Sequence, residues 1–322
     1  MSDPRHEHQH GAHAHARFPA HAHAHAHEHP PTHVARAFGV GVLANLGLVI
    51  VEVAYGLAAH SMALLADAGH NLGDVLGLVL AGAAALLARS KPTKRRTYGY
   101  RRLTVFAALA NAVLLLVATG GVMWESIRRL QAPRAVDADT VLLVALLGVV
   151  VNAGSASLFF AGRRSDLNTR AAFVHLLGDA AIALGVVGAS LLMRWTAWPW
   201  VDPVAGIAVS LLILVSTWSL LRRSLDLVLD AVPEGIDIDR VRFFLEQLPS
   251  VREVHDLHVW AMSTTETALT AHLVMRIDRY EPTFLSGACR ELHVRFGIEH
   301  ATLQIDPEDA PEPCRLAPEE TV

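Results

Sequence analysis

Two short motifs in this chain share one spacing. His70-Asn71-Leu72-Gly73-Asp74 and His175-Leu176-Leu177-Gly178-Asp179 both read H-x-L-G-D, and both lie inside long apolar stretches. Residues four apart on an α-helix share one face, about one turn apart. Each motif therefore offers an imidazole and a carboxylate side by side. An ionisable group inside a membrane helix costs roughly 2.5–3.5 kcal/mol or more, so it marks a functional site by default. If the two helices face each other, the groups converge as two nitrogens and two oxygens, a set that suits tetrahedral zinc. The absence of sulfur argues against copper(I), and the all-oxygen shell that calcium prefers is missing. Gly73 and Gly178 would permit close helix approach. The plainer reading, polar contacts that hold a bundle together, rarely needs four ionisable groups.

The same groups imply a coupling. A histidine must be neutral to ligate metal, and free histidine titrates at about pH 6.5. Metal entry then expels protons, and proton entry expels metal. A four-ligand site that opens alternately to each side is an antiporter. Matched motifs in the second and fifth stretches also hint at a three-helix repeat. An intramembrane protease would require an HExxH-type carboxylate and an open zinc position, and neither is present. The alternative kept open is a zinc-binding membrane sensor or scaffold that moves nothing.

The elements that must position these residues are legible in composition. Of 322 residues, 52% are hydrophobic and only 18% charged. The mean hydropathy of +0.34 is high for a soluble protein. Six stretches have about the 20 apolar residues a bilayer requires: 37–59, 62–88, 103–124, 139–161, 171–193 and 203–221. The loops after the second, fourth and sixth carry twelve Lys and Arg, against four in the opposite loops. This asymmetry predicts both termini in the cytoplasm, with Trp195, Trp198 and Trp200 at the far interface. The expected location is a bacterial inner (plasma) membrane, with the lipid bilayer as a partner. A net charge of −4 gives no case for nucleic-acid binding.

Eleven histidines fall within the first 33 residues, interrupted by alanines. That segment has no apolar face to bury and reads as a disordered, weakly metal-collecting tail over 1–36. The six-helix transmembrane domain spans 37–224. Beyond 225 the pattern changes: an amphipathic helix at 238–248, alternating strands at 254–260 and 267–275, a helix at 283–296 and a last strand at 300–306. The order αββαβ suits a small ferredoxin-like α+β domain over 225–306. Residues 307–322 read as a loose tail. Cys289 and Cys314 are too few for a disulfide framework or a four-thiolate site. Among the intramembrane polar residues, Asp67 lies on the His70 face and suits an ion-guiding or His70-orienting role. Glu52, Asn45, Asn111 and Asn152 suit hydrogen bonds between helices. His60 is expected in solvent.

At these residues the sequence resembles the cation diffusion facilitator family, from roughly 38 to 306. The context Ser61-Met62-Ala63-Leu64-Leu65-Ala66-Asp67-Ala68-Gly69-His70 resembles that family's second helix. The resemblance implies a homodimer that exports metal from the cytoplasm against protons, and the histidine at position 70 resembles the zinc-preferring branch. It also implies that His255, His272, His300 and Asp306 form a cytoplasmic, regulatory zinc site. His300 and Asp306 share strand parity, so one face can carry both. His258 and His293 are expected to be ordinary surface histidines. The chain is thus expected to be a zinc/proton antiporter and not an enzyme, its transport site His70, Asp74, His175 and Asp179.

Overall fold

The computed structural model describes residues 32–164, 166–276, 281–310 and 314–316. The His-rich segment before Thr32 and most of the C-terminal tail lie outside the described residues. Among the described residues, six helices are long and apolar enough to cross a membrane. They are α1 (Thr32–Ala58), α2 (Met62–Ala88), α3 (Leu103–Gln131), α4 (Ala138–Phe159), α5 (Leu167–Thr196) and α6 (Val201–Val228). A helix satisfies its own backbone polar groups, as hydrocarbon demands. At about 1.5 Å per residue even the shortest, the 22-residue α4, reaches across a core of about 30 Å.

Several helices outrun the apolar stretches that predict them, α5 among them at both ends. α1 begins at Thr32, inside the segment assigned to the tail. α3 continues to Gln131, where Glu125 pairs with Arg129 at 3.2 Å one turn on. α6 continues to Val228. Polar side chains end a hydropathy signal without ending a hydrogen-bonded helix.

α3 packs along α6 and α4 along α5, while α2 lies against α1, α3 and α6. α2 and α5, the two motif-bearing helices, meet over a short stretch only. Leu64, Val141, Val186 and Ile213 belong to the bundle core. Leu43, Val117, Leu143 and Val215 are exposed, which fits outer faces bathed in lipid. At Gly73 an added Cβ would fall 2.0 Å from Leu115 Cδ2, so α2 and α3 approach there because the position is glycine. Gly178 faces open space, and the expectation of a close approach at that position fails.

The C-terminal domain runs α7 (Ile238–Glu246), β1 (Val251–Ala261), β2 (Thr267–Met275), α8 (Phe284–Phe296) and β3 (Ile298–Pro307), the αββαβ order expected. The sheet order is β1-β2-β3, with β1 antiparallel and β3 parallel to β2. Val241 and Leu245 of α7 and Leu292 of α8 pack on Val254, Leu269 and Leu273. The helices therefore cover one face of the sheet. Between His255 and His258, β1 gains a residue on β2, and Asp256 in this bulge has a φ of 49°. The domain is joined to the bundle at the α2–α3 connection. Arg101 pairs with Glu266 at 2.9 Å, Arg102 pairs with Asp230, and the Thr264 amide donates to Thr104 Oγ1 at 3.1 Å.

Candidate metal sites

The helical spacing of each H-x-L-G-D motif puts its His and Asp on one face, and the contact between α2 and α5 turns the two faces together. The pairing is crosswise. His70 Nε2 lies 3.3 Å from Asp179 Oδ1, and His175 Nε2 lies 3.1 Å from Asp74 Oδ2. The distances within each helix are longer, 3.7 Å for His70–Asp74 and 3.6 Å for His175–Asp179. Donor atoms of His70, Asp74 and Asp179 all fall within 4.8 Å of one another. The imidazole rings meet edge-on with centroids 6.0 Å apart. Asp179 is 2% exposed and His175 46%, so the cluster is closed at one end and reachable at the other.

Around this cluster the helices carry buried polar groups. Asn71 donates to Glu52 Oε2 at 3.1 Å, which ties α2 to α1 as an interhelical hydrogen bond was expected to do. Asp67 is fully buried, but neither its carboxylate nor His70 Nδ1 has a hydrogen-bond partner among the described residues. Asp67 therefore does not orient His70 by a direct hydrogen bond. His60 stands in the exposed turn between α1 and α2, and its carbonyl accepts from Arg129 at 2.5 Å.

A second cluster lies on the sheet face that the helices leave bare. His255 and His272 are direct partners across β1 and β2, with ring centroids 5.2 Å apart. Asp306 Oδ2 lies 3.2 Å from His255 Nε2 and 3.0 Å from His272 Nδ1, and its other oxygen accepts from the Gln304 amide at 2.9 Å. Burial pushes the Asp306 carboxyl up. The Gln304 amide, the His272 hydrogen bond and the charge of both imidazoles outweigh this and hold it below the usual carboxylate range. His258 is largely exposed and pairs with Asp256 at 2.9 Å, and His293 is exposed on α8.

His300 does not join this cluster. It lies opposite Ala268, while Gln304 is the residue opposite His272, and its ring meets Tyr98 edge-on at 5.6 Å. The parity argument was sound but incomplete. A strand advances about 3.3 Å per residue, so residues six apart on one face are about 20 Å apart. Two contributors escaped the sequence reading. Asp256 Oδ2 stands 3.5 Å from His272 Nε2, and Cys314 Sγ lies 3.5 Å from His272 Nδ1. The adjacency of Asp256 to His255 was a usable signal, whereas nothing in the spacing of Cys314 pointed back to the sheet.

Comparison with known proteins matches both halves of the chain. Residues 39–229 match the cation efflux transmembrane domain, and residues 233–308 match the cytoplasmic domain of cation efflux proteins. Zinc transporter ZitB of Escherichia coli (strain K12) is 38% identical over 272 residues, 84% of this chain and 85% of that protein. Metal cation efflux system protein CzcD of Cupriavidus metallidurans is 32% identical over 84% of this chain and 86% of its own length. A cadmium, cobalt and zinc/H(+)-K(+) antiporter of Bacillus subtilis is 31% identical over 81% of this chain and 86% of its own.

Proposed function

The chain belongs to the cation efflux family, also called the cation diffusion facilitators, and from that premise we propose that it exports zinc from the cytoplasm in exchange for protons. The carrying observation is the crosswise pairing of His70 with Asp179 and His175 with Asp74 between two membrane-length helices. Four donors about 2.0–2.1 Å from a common ion in a tetrahedron stand about 3.3–3.4 Å apart. The four His–Asp separations of 3.1, 3.3, 3.6 and 3.7 Å lie near that value, with Asp179 facing His70 through Oδ1 and His175 through Oδ2; His70, Asp74 and Asp179 form the tight part of the cluster and His175 stands at its open edge. Two imidazoles and two carboxylates suit zinc better than calcium or copper(I).

Each residue then has a role. Asp179 supplies buried charge at the closed end, and Asp74 bridges toward the open one. His70 and His175 ligate when neutral and take up protons when metal leaves, which makes exchange the natural cycle. The Lys and Arg asymmetry supports cytoplasmic termini. The names of the relatives support zinc as cargo, and the C-terminal domain supports a homodimer. In that domain His255, His272 and Asp306 are proposed to hold a regulatory zinc ion, with His300 left out.

Zinc-driven proton release from sealed liposomes tests this reading. Purified wild-type protein should move zinc one way and protons the other. Asp179→Ala and His175→Ala proteins that insert and elute like wild type should move neither. Zinc binding without flux in the wild type would leave a sensor or scaffold instead of a transporter.

A further inference from the structure

We propose that Cys314 completes the sheet-face cluster as a closed, four-donor metal site made within one chain: His255, His272, Asp306 and Cys314. This rests on the reading that the first three hold metal, and adds a thiolate that the sequence had set aside. One donor atom from each of the four residues lies within 4.8 Å of every other. Two nitrogens, one oxygen and one sulfur are four protein donors, each of a kind that zinc accepts, and four such donors leave no position open.

Three features point to an ion at this place. His255 is 4% exposed, yet neither ring nitrogen has a hydrogen-bond partner among the described residues, and Nε2 is aimed at Asp306. Buried imidazoles are ordinarily satisfied, and a metal would satisfy this one. His272 is held from behind: Asp256 stands at its Nε2, so that Nδ1 turns toward Asp306 and Cys314. A carboxylate behind a ligating histidine fixes the ring and raises its basicity. Gln304 in turn fixes the orientation of Asp306 by donating to the oxygen that turns away from the histidines.

On binding, the Cys314 S–H bond breaks, a sulfur–metal bond forms and the proton passes to solvent, with no change in oxidation state. Sulfur shifts the preference of the site toward zinc and cadmium and away from magnesium and calcium. The transport site has no sulfur and is partly open, so the two sites suit different tasks, exchange in the bundle and retention on the sheet. Loading would also fasten the chain beyond β3 to the strand pair β1–β2.

The test uses the full-length protein with Cys289→Ser, so that Cys314 is the sole thiol. Cobalt(II) added alone should give a thiolate-to-cobalt charge-transfer band in the near ultraviolet. The His-rich tail and the transport site carry no thiol and cannot produce it. Cys314→Ser should abolish the band and weaken metal retention on the sheet by about tenfold or more. Zinc, but not magnesium, should slow alkylation of Cys314 by N-ethylmaleimide at least about tenfold, and His272→Ala should remove that protection. Metal bound per chain is counted by equilibrium dialysis with and without His255→Ala/His272→Ala. If the double substitution removes one ion but the wild type gives no band and no protection, the Cys314 assignment fails and the three-residue site stands. If the double substitution removes no ion, both fail.

Discussion

Asp202 at the start of α6 accepts from the Ser61 hydroxyl at 2.5 Å, and its other oxygen accepts from the Met62 amide at 2.6 Å. Ser61 itself accepts from the Leu64 amide at 3.2 Å. Together they satisfy the amides that open α2 and set a negative charge at its positive end. Ser61→Ala and Asp202→Asn should each cost about 0.5–2 kcal/mol. The double variant should lose less than the sum, because the two groups touch. Thermal unfolding in detergent reads this directly. Strictly additive losses would mean that the pair does not act as one cap.

Gly73 and Gly178 occupy the same place in their motifs but not in the packing. Gly73→Ala must push Leu115 away and should cost about 1–3 kcal/mol, with loss of zinc flux as α2 shifts. Gly178→Ala meets open space and should leave unfolding and flux near wild type. Melting curves and liposome flux on both proteins check the contrast.

His70 is proposed to bias the transport site toward zinc. Imidazole is a more directional ligand than a flexible carboxylate, and its replacement relaxes the geometry. His70→Asp should raise the cadmium-to-zinc flux ratio. An unchanged ratio in an active His70→Asp protein would count against the idea.

Asp137 caps α4 by accepting from the Thr140 hydroxyl at 2.6 Å, the Thr140 amide at 3.3 Å and the Asp139 amide at 3.2 Å. The Thr140 hydroxyl contributes most, followed by the Thr140 amide, and the cap holds the carboxyl below the usual carboxylate range. A depressed folded pKa means that the cap is at full strength above the unfolded value of about 3.9 and is lost as pH falls through the folded value. Amide exchange at Asp139 and Thr140, corrected for intrinsic rates, should stay slow at pH 5 and rise as pH drops below about 4. Asp137→Ala should exchange faster throughout and lose that acid step.

The His-rich N-terminal segment is expected to raise local metal supply without setting the mechanism. Removing residues 1–33 should leave flux at saturating zinc nearly intact and reduce it at limiting zinc. Loss of flux at saturation in an inserted protein would show a larger role.

What was legible followed from local rules. Apolar run length gave the six spans, and the four-residue His-to-Asp spacing gave the four residues that α2 and α5 bring together, because one helix face fixes both. Period-two alternation gave β1 and β2, while the assignment of His255 and His272 to a metal site came from the family resemblance. What was not legible depended on contacts distant in sequence. No pattern shows that Asp202 reaches Ser61, that Gly73 and not Gly178 meets a neighbour, or that Cys314 folds back to His272. His300 was misplaced because parity fixes a face and not a position along it.

The bulge in β1 gives that strand an unusual tolerance. A chain lacking Asp256 alone would keep Val254, Leu257 and Val259 on the helix-covered face and His255 opposite His272, now in unbroken alternation. It would also lose the one positive φ in the strand. Single-residue deletions ordinarily scramble a strand by turning every following side chain over. Here one deletion would restore alternation from Val254 to Val259 and cost the carboxylate that stands behind His272 and pairs with His258. The ladder itself thus has no need of Asp256, and what its side chain adds is the carboxylate beside the His272 ring.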